Sequence, residues 1–306
     1  MKPLILVTGA TGKTGFVTAK VLLEKGYPVR TLVRGASEKA DALKSLGAEI
    51  AIGNFHDSES LENAMEGVER AYLLYPPEDR LLEGTANFIV AATGKGMKAV
   101  VNMSQMQAYK PHRSPLTQQH WLAEQMLNLT DMTVVHLCPP FFAEMLYLMN
   151  AGNILQEGKM YLPHGDARHA PITADDIGLY AASILENPEK FKGQRLLLTG
   201  PELLTQAEIA AITSEVLGMP IEYVSVTREQ WAEGVRQAGL RDEFLISHLC
   251  EVGDDFRNND VLDKLTTTFE EVTGQKPTDM RTFVENSKWA FTPEFLQAMK
   301  EQMAGS

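Results

Sequence analysis

The sequence predicts an α/β protein built on a doubly wound parallel sheet, with a smaller lobe supplied by the C-terminal half. Three observations predict it. The chain opens on an apolar run, Leu4-Ile5-Leu6-Val7, followed at once by glycines spaced Gly9-x-x-Gly12-x-x-Gly15 and then by a helical segment. Apolar runs of four to seven residues then alternate with segments of helical periodicity as far as Cys138. Beyond Phe141 that rhythm breaks. Strands separated by helices long enough to cross back pair in parallel, with helices on both faces.

Each element follows from its residues. Leu4–Val7 reads as a buried strand, and Phe16–Lys25 as a helix with Phe16, Ala19, Val21, Leu22 and Leu23 on its apolar side. A strand, a glycine turn and a helix together form a cradle for a dinucleotide pyrophosphate. Glycine lets the backbone approach the phosphates, and the helix aims its free N–H groups at them. The fold expected is therefore Rossmann-type, with Gly9, Thr11, Gly12, Lys13, Thr14 and Gly15 as cofactor-binding residues. Further strands are expected at 27–33, 49–52, 70–75, 97–103 and 132–137, the last closed by Pro139-Pro140. Helices are expected at 37–46, 60–65, 81–95 and 117–129. Later come an apolar helix at 143–149, the polar loop Pro163–His169 and a helix at 175–185. A strand at 194–198 should rejoin the sheet. Thr205, with Glu208 three residues on, forms a capping box for a helix running to Leu217, and 221–226 is a short strand. The domains expected are 1–150, binding NAD(P), and 151–306, a substrate lobe with some segments returning to the main sheet.

The second strand ends Thr31-Leu32-Val33-Arg34. An NAD site holds an acidic residue there, on the ribose hydroxyls. A guanidinium matches a phosphate instead, so Arg34 and Lys13 favour NADP(H) over NAD(H). The alternatives are a solvated strand-end arginine and an exposed turn lysine. Asn54 and Asp57 lie where adenine is expected, although Asp57 is equally placed to cap the next helix. Tyr75, Pro76 and Pro139 lie at later strand ends, along the path of the cofactor.

Composition bounds the rest. A net charge of −12 over 306 residues argues against nucleic acid. No apolar run approaches a membrane span, and the N-terminus does not read as a signal peptide. Cys138 and Cys250 give neither a disulfide framework nor metal-ligand spacing, and both read as buried thiols. His164, Asp166, Arg168 and His169 crowd one loop without the spacing of a zinc site, so no metal is expected. A cytoplasmic protein acting on a small molecule is the expectation.

The opening Val7-Thr8-Gly9-Ala10-Thr11-Gly12-Lys13-Thr14-Gly15, the strand ending Val33-Arg34, the blocks Leu198-Thr199-Gly200-Pro201-Glu202 and Leu203–Ala210, and Val272–Pro277 resemble the NmrA-like atypical short-chain dehydrogenases/reductases. The resemblance covers nearly the whole chain. It implies a Rossmann-type fold with a C-terminal substrate lobe, and monomers and homodimers are both within its range. The family includes dye, quinone and ergot-alkaloid reductases, and also regulators that bind the dinucleotide without known catalysis.

Ordinary short-chain dehydrogenases use a serine on the fifth strand and a Tyr-x-x-x-Lys on the next helix. Ser104 falls at the serine position. Leu116 and His120 fall at the tyrosine and lysine positions, so the proton-donating pair is absent. His120 is left to hold the nicotinamide ribose or to supply a proton, unless it is an exposed helix residue. Glu124, one turn on, either orients that ring or faces solvent. Tyr109 is a second candidate acid. Phe141, Phe142 and Tyr147 are expected to form the apolar wall of the substrate pocket, and Asp176 to act structurally. The function expected is reduction of a conjugated or quinone-like acceptor by NADPH; the alternative is a non-catalytic NADP(H) redox sensor.

Overall fold

The computed structural model describes residues 2–258 and 261–304. Its first strands form where the apolar runs lie. β1 (Ile5–Val7) is fully buried, each side chain contributing about 1.5–3 kcal/mol by leaving water. It leads into α1 (Lys13–Glu24), β2 (Val29–Val33), α2 (Glu38–Ser45), β3 (Glu49–Ile52), α3 (Ser58–Ala64) and β4 (Arg70–Leu73). Then come α4 (Leu81–Gly94), β5 (Ala99–Met103), α5 (Pro115–Asn128) and β6 (Thr133–Cys138). The chain continues through α6 (Met145–Glu157), β7 (Lys159–Leu162), β8 (Arg168–His169), α7 (Ala174–Glu186), β9 (Arg195–Leu197) and β10 (Leu204–Thr205). It ends with α8 (Gln206–Leu217), β11 (Glu222–Ser225), α9 (Arg228–Gln237), α10 (Glu243–Asn258), α11 (Thr268–Thr273), α12 (Met280–Asn286) and α13 (Pro293–Ala304).

Seven strands form one parallel sheet in the order β3-β2-β1-β4-β5-β6-β9. This is the Rossmann-type order, with the reversal between β1 and β4, and ligands of such sheets lie beyond the strands' carboxyl ends at that crevice. β5 and β6 are buried along their whole length, as parallel strands covered on both faces must be. β9 pairs with β6 as expected, His136 opposite Arg195. α7 lies against α1, where the Thr18 hydroxyl donates to the Gly178 carbonyl at 3.2 Å.

Contacts divide the chain into two units. The first holds residues up to Pro139 together with Ala174–Leu198 and Thr268–Gln275. The second holds Pro140–Thr173, Thr199–Thr267 and residues from Lys276 onward. Within the second, β7 pairs in parallel with β11 and β8 antiparallel with β10. Its core joins α6, α8 and α12 through Leu146, Tyr147, Ile154, Ile209, Phe283 and Val284. The capping box at Thr205 and Glu208 is present.

Three features differ from expectation. α6 runs on to Glu157 through Asn150, Gly152 and Asn153, all poor helix formers, because Asn150, Ala151 and Ile154 face the core of the second unit. Burial there overrides propensity. β7, β8 and β10 are two to four residues long and exist through pairing between distant segments, which local pattern does not show. The loop Pro163–His169 is not simply polar: His164 and His169 are buried, with Phe256 stacked on His164 at 4.0 Å between ring centres.

Candidate functional site

The glycine turn stands at the carboxyl end of β1. Gly9 takes φ +59°, and a Cβ there would meet Leu74 at 2.9 Å, so the turn is closed to other residues. Its carbonyl accepts from the Gly12 N–H at 2.9 Å. Gly15 fits because a Cβ would lie 2.3 Å from that same carbonyl. Thr8, fully buried, pins the turn to β4: its hydroxyl lies 3.1 Å from the Tyr72 carbonyl and accepts from the Leu74 N–H at 2.8 Å.

α1 begins on Gly12 with no side chain capping it and no acidic residue in its first turn. Ser37, Asp57 and Ser114 cap α2, α3 and α5, whereas α4 and α6, like α1, begin without a side-chain cap. An uncapped first turn beside a glycine cradle leaves N–H donors and the positive end of the helix dipole for an anion. Thr14 and Gly15 are buried in that turn, Thr11 is half-buried, and Gly12 and Lys13 are exposed.

Arg34 directly follows β2 and is exposed, with no hydrogen bond or ion pair among the described residues. Asn54, after β3, is exposed and its Oδ1 accepts from the His56 N–H at 2.8 Å. Asp57 caps α3, accepting from the Ser60 N–H at 3.2 Å, so of its two expected roles the structure displays the cap. Tyr75 turns inward. Its ring packs on Phe55, its hydroxyl meets His56 Nε2 at 2.9 Å, and burial pushes its pKa up to about 12. At this strand end a ligand would meet main chain and half-buried Pro76 rather than a phenol.

Beyond β5 the arrangement is closed. Ser104 is buried and donates to Glu124 Oε1 at 2.5 Å. Glu124 is fully buried on α5, and Arg195 donates from Nε to its other oxygen at 2.6 Å. Arg195 also donates to the Gln105 carbonyl at 3.1 Å. Burial pushes the Glu124 carboxyl above its ordinary range, while Arg195 and Ser104 pull against it. Glu124 is therefore not a solvent-facing residue. The buried Cys138 thiol, 3.8 Å from the same carboxylate, is pushed up by burial and by that charge. Pro139 is buried and its carbonyl accepts from the Met106 N–H at 3.0 Å.

His120 lies on the buried face of α5 with Leu116, Thr117 and Ala123, so the exposed-histidine alternative does not hold. Tyr109 is 43% exposed, with Lys110 Nζ 5.1 Å from its ring centre. In the second unit, Phe141 and Phe142 line an apolar recess of about 20 Å³, little more than one water. Tyr147 does not line it; its ring stacks on Phe283 in the core. Asp176 is buried in the first turn of α7.

The sequence signature of the NmrA-like family matches residues 1–284. The chain belongs to the NmrA-like family. It is 32% identical over 287 residues to the NAD(P)H azoreductase of Xenophilus azovorans, covering 93% of this chain and 97% of that one. Its fold matches the NADPH-dependent quinone oxidoreductase of Escherichia coli solved with NADPH, at a TM-score of 0.82 and 23% identity, covering 92% and 99% of the two chains. It also matches Nmra, a negative transcriptional regulator solved with NAD, at a TM-score of 0.77 and 17% identity, covering 93% and 94%.

Two features of this NmrA-like chain leave no mark in its local sequence pattern. Arg195 pairs with Glu124 across 71 residues, and no local spacing signals that. His56 joins the β3–α3 loop to Tyr75 and lies 3.3 Å from Glu83.

Proposed function

We propose that the protein is an NADPH-dependent reductase that passes hydride to a small conjugated or quinone-like acceptor. The observation that carries the reading is the pairing of an uncapped glycine cradle with exposed, unpartnered Arg34 where an NAD site would hold an acid. The residues fit the cofactor: Cβ atoms at Gly12 and Gly15 would crowd the turn, and the α1 N-terminus offers donors to the pyrophosphate. Arg34 and Lys13 take the 2′-phosphate, and Asn54 borders the adenine.

When bound, NADPH supplies the hydride. The chain orients the two partners and fixes the floor beneath them. Ser104 is committed as a donor to Glu124, so it holds the β5 end in place rather than delivering a proton. His120 holds the nicotinamide ribose or passes a proton, and Tyr109 is the exposed second donor. A conjugated acceptor delocalises the developing anion, so water suffices as proton source.

The missing tyrosine at Leu116 and the commitment of Ser104 favour one second reading, a redox sensor that binds the nucleotide without turnover. The test is NADPH oxidation with a panel of quinones, azo dyes and triphenylmethane dyes, with NADH alongside. Acceptor-dependent consumption that prefers NADPH is expected. Tight nucleotide binding with no consumption across the panel would transfer the assignment to the sensor.

A further inference from the structure

β3 and β4 are not neighbours in the main sheet; β2 and β1 lie between them. The ends of those two inner strands carry Arg34 and the glycine turn. Side chains nevertheless join the β3–α3 loop to the end of β4. His56 Nε2 lies 2.9 Å from the Tyr75 hydroxyl, and His56 Nδ1 faces Glu83 Oε1 at 3.3 Å. A carboxylate has no proton to give, so Nδ1 carries the ring proton toward Glu83 and Nε2 accepts from Tyr75. One neutral form of the imidazole thus suits both neighbours. Arg80 holds Glu83 in turn, donating to its two oxygens at 2.8 and 2.5 Å.

α4 is shaped to receive this link. A Cβ on Gly84 would lie 2.1 Å from the Tyr75 ring and 3.1 Å from Phe55, so glycine leaves the slot that the ring fills. Phe55 packs on the same ring with 4.8 Å between ring centres, and its carbonyl accepts from Asn87 Nδ2 at 2.8 Å. Glu83, Gly84 and Asn87, in the first two turns of α4, therefore gather the β3–α3 loop and the end of β4 together.

The link runs on at both ends. On one side the His56 N–H donates to Asn54 Oδ1 at 2.8 Å, and Asn54 is the residue assigned to the adenine. On the other, Tyr75 follows Leu74. The Leu74 N–H donates to the Thr8 hydroxyl at 2.8 Å, and its side chain occupies the space beside Gly9. Asn54 and the glycine turn are thus connected through His56, Tyr75 and Leu74.

We propose that His56 is a positioning residue for the adenosine half of the cofactor: through Tyr75 it fixes Asn54 relative to the glycine turn before the nucleotide arrives. This rests on the NADPH reading of the cradle and adds a residue that acts through its neighbours. The gain is preorganisation, because a loop already held in its binding arrangement need not be ordered on association.

The test is titration calorimetry with NADPH and with 2′,5′-ADP, which carries the adenosine half alone, run well below the unfolding midpoint of each variant. Tyr75→Phe keeps the ring in its slot and removes only the hydroxyl; His56→Leu removes the acceptor. Each is expected to raise the Kd of both ligands about five- to tenfold, the worth of one hydrogen bond. The double variant is expected to lose no more than the weaker-binding single one, since both changes break the same bond. The amide oxygen of Gln reaches the place of Nε2, so His56→Gln is expected to stay within about twofold of wild type. Wild-type Kd values in Tyr75→Phe overturn the inference. Additive losses in the double variant also overturn it, as does a loss in His56→Gln equal to that in His56→Leu, which would assign the effect to packing. A loss for NADPH with none for 2′,5′-ADP removes the adenosine half as the target and overturns it too. Failure of wild type to bind either ligand defeats the NADPH reading itself, and this inference with it.

Discussion

The carboxyl-terminal face of the main sheet has two unlike halves. Beyond β1, β2 and β3 it is open: an uncapped helix, a glycine turn, and Arg34 exposed without a partner. Beyond β5 and β6 it is closed: Ser104, Glu124, Arg195 and the Gln105 carbonyl satisfy one another, and Arg195 alone of the three side chains keeps partial exposure. In the open half, folding leaves donors and charge to solvent, where a ligand can reach them. In the closed half the same kinds of group are spent on stability. The first half is therefore sensitive to ligand and the second to folding, and substitutions should separate the two.

The largest effect is expected at Glu124. Its removal in Glu124→Ala leaves the Arg195 guanidinium without its partner in a largely buried place. Loss of one member of such a pair costs about 3–5 kcal/mol, here toward the lower value because the Arg195 side chain keeps 27% exposure. Urea unfolding read by circular dichroism measures it. An unchanged midpoint would mean that Arg195 finds water without Glu124, and the closed half would lose its main support.

Next comes the histidine buried in the same half. His136 is held between Asn102 at 3.1 Å and Asn128 at 3.0 Å, and burial first, then Arg195, lowers its pKa to about 4. Its ordinary value lies near 6.5, so on acidification the unfolded chain takes the proton first. The stabilisation is complete above pH 6.5 and is lost as pH falls toward 4, an effect of about 3 kcal/mol. His169 in the second unit is lowered to about 4 by the same burial and adds to that slope. His136→Gln should therefore reduce the loss of stability between pH 6.5 and 4 without abolishing it. An identical pH slope in the variant would show that His136 takes up its proton as readily in the native protein as in the unfolded chain.

The open half should behave in the opposite way. Arg34→Asp is expected to weaken NADPH binding by roughly ten- to a hundredfold, the worth of hydrogen bonds to a charged group, and to spare NADH. Its effect on unfolding should stay within about 0.5 kcal/mol, as for other exposed side chains without partners. Titration calorimetry with both nucleotides decides it; equal losses for the two would remove Arg34 as the reader of the phosphate.

The two halves also differ in what the sequence revealed. The carriers of the open half are local: strand, glycine spacing, helix and Arg34 lie within the first 34 residues, and their order alone implies a cradle. Asp57 sits in the same kind of local pattern, an N-cap position three residues before Ser60. The closed half is assembled from β5, α5 and β9, and Arg195 reaches Glu124 only because β9 returns to pair with β6. Helical spacing placed Glu124 one turn from His120, but not the partner that would bury it. The second unit shows the same limit. Tyr147 reads as an aromatic wall by its position after β6, yet the side chain stacks on Phe283, 136 residues later.

Ser104 carries the smallest expected effect and the sharpest use of the contrast. Its hydroxyl proton is directed at Glu124, so Ser104→Ala removes one hydrogen bond to a buried carboxylate that keeps Arg195. The expected cost is about 1 kcal/mol of stability, with turnover reduced by less than about threefold. A general acid at this position would be worth about 10²–10⁴ in rate. A loss of that size, with nucleotide affinity intact, would mean that the serine turns from Glu124 to the acceptor during reduction. The closed half would then belong to catalysis and not to folding alone.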